Sequence, residues 1–217
     1  MFIIAGIIGR SFVIKYIEIE KRLGRLTSSR FGDMMQRGRA KDQRFGTACK
    51  KYINEKIAEI LTGQSSNFSS QATDWGTDLE PEAINFYQSK TGNIVDYDSK
   101  RFVEFGEYAG GSPDGLIGED GAIEIKCPFN SINHIETIRT NGVPKQYVHQ
   151  VQGHLMVTGR EWCDFVSYDP RIKDEGLRVH IIRVERDQDL IDEMEARIEE
   201  VRAEIDKNLT DIGYKPI

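Results

Sequence analysis

Two carboxylates and one lysine at short spacing are the residues of this sequence best suited to chemistry. Asp114 stands in the segment Ser-Pro-Asp-Gly, and the segment Glu124-Ile125-Lys126 follows ten residues later. Carboxylate oxygens bind hard cations such as Mg²⁺, which keep waters and substrate phosphates in their other coordination positions. A nearby ammonium group can hold an attacking water and offset charge in the transition state. The pattern therefore indicates metal-assisted phosphoryl chemistry.

A hairpin is the element that would bring these groups together. A Gly-Glu-Asp-Gly turn at 118–121 folds the chain back, and centring the turn on its acidic pair puts Asp114 opposite Ile125. The neighbours of Asp114 are then Glu124 and Lys126, which strand alternation points to one face. Ile123 and Ile125 point to the other face. We expect two carboxylates and an ammonium group to converge at the end of a strand.

Each piece of this pattern also has an ordinary structural explanation. An aspartate before glycine is usually a turn residue, and a Glu-x-Lys pair on a strand is usually an exposed ion pair of little energetic value. Against this, Glu124 and Lys126 run into the apolar segment Cys127-Pro128-Phe129, which favours a buried strand end. Taken together, the residues form the pattern PD-x9-E-x-K.

The remaining chain reads as alternating helices and short strands, which predicts one α/β domain with a mixed central sheet. A Thr-Ser-Ser cluster favours a helix N-cap at Ser28 or Ser29. The first 15 residues form an apolar extension whose role the sequence does not define. The predicted helices are 41–62, 74–90, 131–141, 144–158 and an amphipathic C-terminal helix at 187–209, and the predicted strands are 93–97, 101–105, 115–118, 122–126, 162–168 and 177–184.

Composition excludes several classes of protein. The chain has 217 residues, 39% of them hydrophobic, and no apolar run of the ~18 residues that cross a bilayer. Its three cysteines are scattered, which argues against a disulfide framework, a zinc site or a four-cysteine iron–sulfur cluster and suits a reducing cytoplasm.

Charge is distributed unevenly around a net value of −6. Residues 10–56 hold 13 Lys and Arg against 5 Asp and Glu, whereas residues 185–211 hold 11 acidic against 4 basic residues. Because the field at a site is local, the acidic total does not exclude a polyanionic ligand. Charge alone favours the alternative of two solvated faces of opposite sign.

Several motifs in order along the chain resemble the phage lambda exonuclease family, also described as YqaJ-type viral recombinases, within the PD-(D/E)xK nuclease superfamily. The resemblance runs from about residue 16 to the C-terminus and implies a restriction-endonuclease-like core, with a mixed sheet flanked by helices. The motifs are Arg22-Leu23-Gly24 with Thr27-Ser28-Ser29, Trp75-Gly76 with Leu79-Glu80, Ser112-Pro113-Asp114-Gly115, Glu124-Ile125-Lys126-Cys127-Pro128-Phe129, Tyr147 with Gln150-Val151-Gln152, and Tyr168-Asp169-Pro170-Arg171.

The resemblance implies a role for each residue of the central pattern. Asp114 and Glu124 match metal ligands, assisted by the backbone carbonyl of Ile125, and Lys126 matches the residue that positions the water. Glu80 matches a helix glutamate that contributes to the metal site. The expected cofactor is Mg²⁺, for which Mn²⁺ can substitute.

The same resemblance implies contacts with DNA. Arg22, Ser29, Ser112 and Gln152 match a pocket for a terminal 5′-phosphate, and Arg25, Thr27 and Arg30 are candidate DNA contacts. An arginine fork with hydroxyl and amide donors suits phosphate. Read alone, these four residues are better explained as a surface arginine, an N-cap serine, a turn serine and a helical glutamine.

The activity that the resemblance implies is 5′→3′ digestion of the 5′-phosphorylated strand of double-stranded DNA ends, which releases mononucleotides and leaves 3′ tails. The implied setting is phage or prophage recombination in the bacterial cytoplasm, with a single-strand annealing protein as partner and a homotrimer as the assembly. Two alternatives remain open: a PD-(D/E)xK endonuclease of restriction or junction-resolving type, and a DNA-binding module without catalysis.

Overall fold

The computed structural model describes residues 21–40, 43–65, 71–97 and 102–215 as an α/β fold. No helix of this part of the chain is long and apolar enough to cross a membrane. The helices are α1 (Phe31–Met34), α2 (Thr47–Thr62), α3 (Gln71–Thr91), α4 (Ser131–Thr140), α5 (Lys145–Thr158) and α6 (Gln188–Asp211), and the strands are β1 (Leu26–Thr27), β2 (Val95–Asp96), β3 (Val103–Phe105), β4 (Ala109–Gly111), β5 (Gly115–Ile117), β6 (Gly121–Lys126), β7 (Trp162–Tyr168) and β8 (Val179–Glu185).

The strands form two mixed sheets. The larger has the order β2-β5-β6-β7-β8, in which only β6 and β7 run parallel, and the smaller has the order β1-β4-β3. The parallel pair requires a crossover, which α4 and α5 provide. The predicted fold class is thus confirmed, with a second small sheet that the sequence analysis did not anticipate.

The larger sheet is covered on both faces. Ile123 and Ile125 of β6 join Tyr87 of α3 in one apolar cluster. On the opposite face, Phe165 of β7 joins a larger cluster with α2, α5 and α6, of which Leu155 is a buried member. Strand alternation turns Glu124 and Lys126 away from the isoleucines of β6, as predicted, and the structure shows that the isoleucines pack against α3.

Most predicted elements are present with shifted ends. The helix predicted at 41–62 begins only at Thr47, because Gly46 is extended and donates its N–H to the Gln36 carbonyl. The start of that prediction and the whole apolar extension lie outside the described residues. The helix predicted at 187–209 spans Gln188–Asp211 and buries its apolar stripe. Strands β1 and β4 were not predicted, since two or three residues carry no readable periodicity.

The predicted N-cap at Ser28 or Ser29 is wrong. Residues Ser28–Arg30 form a single 3-10 turn that is capped at Thr27 without a side-chain hydrogen bond. Ser28 is buried, and its hydroxyl lies 3.2 Å from Nδ1 of His154 on α5. The Ser28 hydroxyl therefore makes a tertiary contact with His154 instead of the helix-capping contact that the local sequence predicted.

Candidate active site

A cleft of about 1170 Å³ opens over the end of β6. Its walls are the start of α3, the end of β6 with the turn that follows, α4, the start of α5, and Phe165 and Ser167 of β7. The parallel pairing sets Glu124 beside Phe165 and Lys126 beside Ser167, so all four side chains share one face of the sheet. Asp114, Glu124, Ile125, Lys126 and Glu80 all line this cleft, as the sequence analysis predicted.

Glu124 is the centre of a buried hydrogen-bond network. Its side chain is 2% exposed. Oε1 accepts from Nζ of Lys126 at 2.6 Å and from Nε2 of Gln150 at 2.6 Å, and Oε2 lies 2.8 Å from Nε2 of His154. A buried carboxylate requires such partners, because an unpaired one carries a large desolvation penalty. These three contacts fix the plane of the carboxylate at the floor of the cleft.

The charges of this network stabilise one another. Burial opposes ionisation of Glu124, but the Lys126 ammonium and His154 outweigh it and lower the pKa of Glu124 to about 2. Burial likewise disfavours charge on Lys126, but Glu124 and then Asp114 raise the pKa of this lysine well above its usual value. Both groups are therefore ionised at neutral pH, as an ammonium that orients an anionic reaction centre requires.

Asp114 lies beside β6, as predicted, although the turn that joins β5 to β6 differs from the predicted turn. The predicted two-residue turn would pair Gly115 with Glu124, whereas the structure pairs Gly115 with Ile123 and leaves three residues in the turn, with Gly118 at φ 55°. The backbone of Asp114 donates to the Ile123 carbonyl at 3.0 Å, and its Oδ2 accepts from the Ile125 N–H at 2.7 Å. This side-chain contact returns Asp114 to the predicted position next to Glu124 and Lys126.

Glu80 approaches the same cleft from a different layer. It lies on α3, four residues before the buried Ile84, and is 8% exposed. Burial is the main cause that raises the pKa of the Cys127 thiol. The nearby negative charges of Glu80 and Asp114 raise it further. Glu80 therefore faces the carboxylate side of the cleft rather than open solvent.

The donor set fits a magnesium ion that keeps part of its water shell. Among the residues that the structure describes, no three His, Cys, Asp or Glu side chains are arranged as a closed metal site. Mg²⁺ is commonly bound through one or two carboxylates, with waters and substrate phosphates in the remaining positions. Asp114 and Glu124 supply such oxygens, whereas no cysteine or histidine cluster of the described chain favours a softer metal.

The predicted phosphate site is assembled only in part. An Nη of Arg22 donates to the Ser112 hydroxyl at 2.5 Å across 90 residues of sequence, and Ser112 stands two residues before Asp114. Ser29 is exposed on the 3-10 turn, with its hydroxyl 3.4 Å from that of Thr27. We refer to Arg22, Ser29 and Ser112 as the phosphate pocket, after the role that the resemblance implies for them. Its neighbour Ser28 contacts His154, which contacts Glu124, so the pocket and the cleft are physically connected.

The structure does not place Gln152 with this group. Its Nε2 donates to the Glu185 carbonyl at 2.8 Å and its Oε1 accepts from the Asp187 N–H at 3.0 Å, so the amide joins α5 to the start of α6. Residues two apart on a helix differ by about 200°. The glutamine that lines the cleft is Gln150, which the sequence analysis named without giving it a role.

The three tentative DNA contacts already have partners within the chain. Arg25 pairs with Glu104 at 2.9 Å, and Arg30 pairs with Asp33 and Glu55. The backbone N–H of Thr27 donates to the Tyr52 hydroxyl. A DNA phosphate would have to compete with these ion pairs, and the role of all three residues in DNA contact stays a prediction.

Sequence reasoning missed His154 and the tertiary contact of Ser28, and it gave Tyr147 no role. His154 is 1% exposed, and α5 can bring it against Ser28 because Gly153 has no side chain: a Cβ there would lie 2.6 Å from the Phe31 ring. The Tyr147 ring lies 4.7 Å from Nζ of Lys126. The only available signal was the spacing of Tyr147, Gln150 and His154 along one face of a predicted helix.

The α/β fold gathers Asp114, Glu124 and Lys126 in one cleft, which is the residue pattern of nucleases of the PD-(D/E)xK type. The YqaJ-like viral recombinase domain family matches residues 19–161, and this chain belongs to that family. Among curated proteins, Escherichia coli K12 ExoD is 32% identical over 72 residues, which are 33% of this chain and 80% of ExoD.

Solved structures agree with this assignment. The alkaline exonuclease LHK-Exo from Laribacter hongkongensis is 37% identical and matches with a TM-score of 0.80 over 91% of this chain and 95% of its own. A second structure of LHK-Exo, in complex with dAMP, is 38% identical and matches with a TM-score of 0.79 over 89% and 94%. A phage-related exonuclease from Haemophilus somnus 129PT shares the fold at 17% identity, with a TM-score of 0.74 over 87% and 96%. Family and neighbours support a phage-type exonuclease.

Proposed function

We propose that this protein is a Mg²⁺-dependent exonuclease that digests the 5′-phosphorylated strand of double-stranded DNA ends in the 5′→3′ direction. The products would be mononucleotides and a duplex with a 3′ single-stranded tail. The observation that carries the proposal is the convergence of Asp114, Glu124 and Lys126 in one cleft. The dAMP bound to LHK-Exo is a mononucleotide of the kind that such a reaction releases.

The cleft supplies the chemistry that phosphodiester hydrolysis requires. A bound Mg²⁺ would polarise the scissile phosphate and lower the pKa of a coordinated water. Asp114 and Glu124 would hold that ion, with Glu80 and the Ile125 carbonyl as further oxygen donors. Lys126 presents an ammonium group next to both carboxylates, where it can orient the attacking water and offset the charge that develops on the phosphate.

Arg22 and Ser112 give the reaction its proposed direction. Their hydrogen bond leaves a guanidinium group and a hydroxyl side by side, a pair suited to the terminal phosphate of a 5′ end. Ser112 is linked through Pro113 to Asp114, so an end bound there would place its first phosphodiester bond near the carboxylates. In the proposed setting the protein acts in the bacterial cytoplasm during phage-type recombination, as a homotrimer with a single-strand annealing protein.

One experiment separates this function from its alternatives. A linear duplex labelled at either end, with and without 5′-phosphate, is incubated with Mg²⁺, Mn²⁺ or EDTA, beside a covalently closed circle. We expect release of labelled mononucleotide from the 5′-phosphorylated end, none in EDTA, and an intact circle. Cutting of the circle would indicate an endonuclease. Binding in EDTA without hydrolysis under any condition would indicate a binding module.

A further inference from the structure

Three motifs that the proposed reaction does not use meet at the rim of the cleft. They are the segment Cys127-Pro128-Phe129 after β6, the segment Tyr168-Asp169-Pro170-Arg171 at the end of β7, and Trp75 near the start of α3. Since they come from separate parts of the chain, their meeting is a product of the fold. The point at which they meet is Phe129.

Arg171 fixes the backbone that carries Phe129. Its guanidinium makes a two-point contact with the buried Asp169, Nε to Oδ1 at 2.8 Å and Nη2 to Oδ2 at 2.9 Å. The same group donates to the carbonyls of Pro128 and Phe129, each at 2.9 Å. A planar guanidinium that makes four hydrogen bonds has little freedom, so the turn after β6 is held in one place.

Trp75 packs against the Phe129 ring and fixes its orientation. Its indole lies under the Arg171 guanidinium at 4.8 Å and perpendicular to the Phe129 ring, with centroids 5.9 Å apart. The indole Nε1 is buried and has no acceptor in the described part of the chain, so ring contacts are what hold Trp75 there. Such a perpendicular contact leaves at least one face of the Phe129 ring uncovered.

The held ring is nevertheless open to the cleft. Phe129 is 49% exposed and lines the same cleft as Lys126, three residues before it. The same cleft is lined by Asn130, the residue that follows Phe129, and by Asn133, and both side chains carry amide groups. A rigid aromatic face beside polar donors and acceptors is what a nucleobase requires, since every base has a flat π-face and polar edges.

We infer that Phe129 is a stacking surface for a nucleobase of the strand being hydrolysed, next to the scissile phosphate, and that Arg171 and Trp75 are positioning residues for its ring. This inference rests on the proposed function, because it assumes a nucleic-acid strand in the cleft. Stacking is tolerant of sequence, so the subsite would hold the strand in register without selecting a base.

Two measurements test the stacking surface. In the first, 5′-phosphorylated duplexes with 2-aminopurine at the first, second or third position of the 5′ strand are bound to protein carrying Lys126→Ala, which slows turnover enough for the bound duplex to be observed. We expect quenching at one position with Phe129 or Phe129→Tyr, and its loss with Phe129→Leu, which keeps an apolar side chain but removes the ring. Tyr97→Ala removes an aromatic ring that does not line the cleft and should leave the quenching unchanged.

The second measurement uses single-turnover hydrolysis with an abasic residue at the quenched position. Phe129→Leu should slow hydrolysis of the normal duplex about tenfold, a typical value for one stacked base. The abasic residue should slow the otherwise unmodified protein similarly and add nothing to Phe129→Leu. The inference would be overturned if Phe129→Leu left the quenching unchanged. It would also be overturned if the rate reductions caused by the abasic residue and by Phe129→Leu multiplied when the two were combined. If Lys126-containing protein fails to hydrolyse the normal duplex, the proposed function fails, while the quenching still decides on Phe129.

Discussion

The hairpin that carries the proposed catalytic residues (β5, β6 and Asp114) and the phosphate pocket are built in different ways. In the hairpin, Asp114 and Lys126 are 12 residues apart, and a turn with a few hydrogen bonds suffices to join them. In the phosphate pocket, Arg22 reaches Ser112 across 90 residues and through a separate sheet. The comparison teaches that a site made by local structure can be read from spacing, whereas one made by tertiary packing requires the packing to be known.

The largest effect should come from removing the ammonium group of the hairpin. We expect Lys126→Ala to lower single-turnover hydrolysis of a 5′-phosphorylated duplex by about 10²–10³, the usual loss for one preorganised electrostatic partner. Lys145→Ala removes the same charge from the same cleft and serves as the control, with a much smaller loss expected. Equal losses in the two variants would reduce the role of Lys126 to bulk electrostatics.

A fall in pH should lower the free energy of unfolding, because it protonates Glu124 in the hairpin. Because its pKa is lowered to about 2 in the folded protein, its contribution to stability is complete above the unfolded value of about 4.3 and is lost as the pH falls through about 2. The loss would be at most about 3 kcal/mol. Urea unfolding at pH 6, 4 and 3 measures it, and Glu124→Gln should flatten the dependence in this window. An unchanged dependence in the variant would contradict the pKa assignment.

Two buried histidines allow the stability of the candidate site to be separated from the stability of the fold. His154 contacts Glu124 and Ser28, whereas His134 contacts Ser167 and the Leu177 carbonyl, and both are almost fully buried. Replacement of either by leucine should cost about 1–3 kcal/mol of unfolding free energy, since polar partners are left unsatisfied.

Only His154→Leu should also weaken Mn²⁺ binding in the absence of DNA, by about tenfold, because it removes a hydrogen bond that orients the carboxylate of Glu124, a proposed metal ligand. Titration followed by electron paramagnetic resonance gives the affinity without reliance on turnover. Equal metal affinity in the His154 and His134 variants would remove His154 from the site.

Sequence predicted the residues of the hairpin and the faces of β6, but not how its turn is made. Alternation assigned Glu124 and Lys126 to one face correctly, because that rule requires only one strand. The predicted turn was one residue too short, since Gly118 adopts a left-handed conformation and the turn has three residues instead of two. Ser28 was misread as a cap because its partner, His154, lies 126 residues away. Local chemistry could not reveal a partner that only the packing of α5 supplies.

The phosphate pocket should show itself in the choice of DNA end. Arg22→Ala is expected to lower the ratio of hydrolysis rates on 5′-phosphate and 5′-hydroxyl ends about tenfold, as loss of a charged hydrogen bond would. Arg25→Ala is the control, because its guanidinium is held by Glu104 and backbone carbonyls and should leave the ratio unchanged. Equal loss on both types of end would remove Arg22 from phosphate recognition.

The smallest effects should come from the two glutamines of α5, which sharpen the comparison within one helix. Gln150 donates to Glu124 in the cleft, whereas Gln152 bridges β8 to α6 on the opposite side. We expect Gln150→Ala to slow hydrolysis severalfold and Gln152→Ala to lower the unfolding free energy by about 1 kcal/mol with no change in the 5′-phosphate preference. The rates on both types of end and urea unfolding measure these effects. A lost preference in Gln152→Ala would restore the assignment by resemblance, and would mean that DNA binding rearranges the junction of α5 and α6.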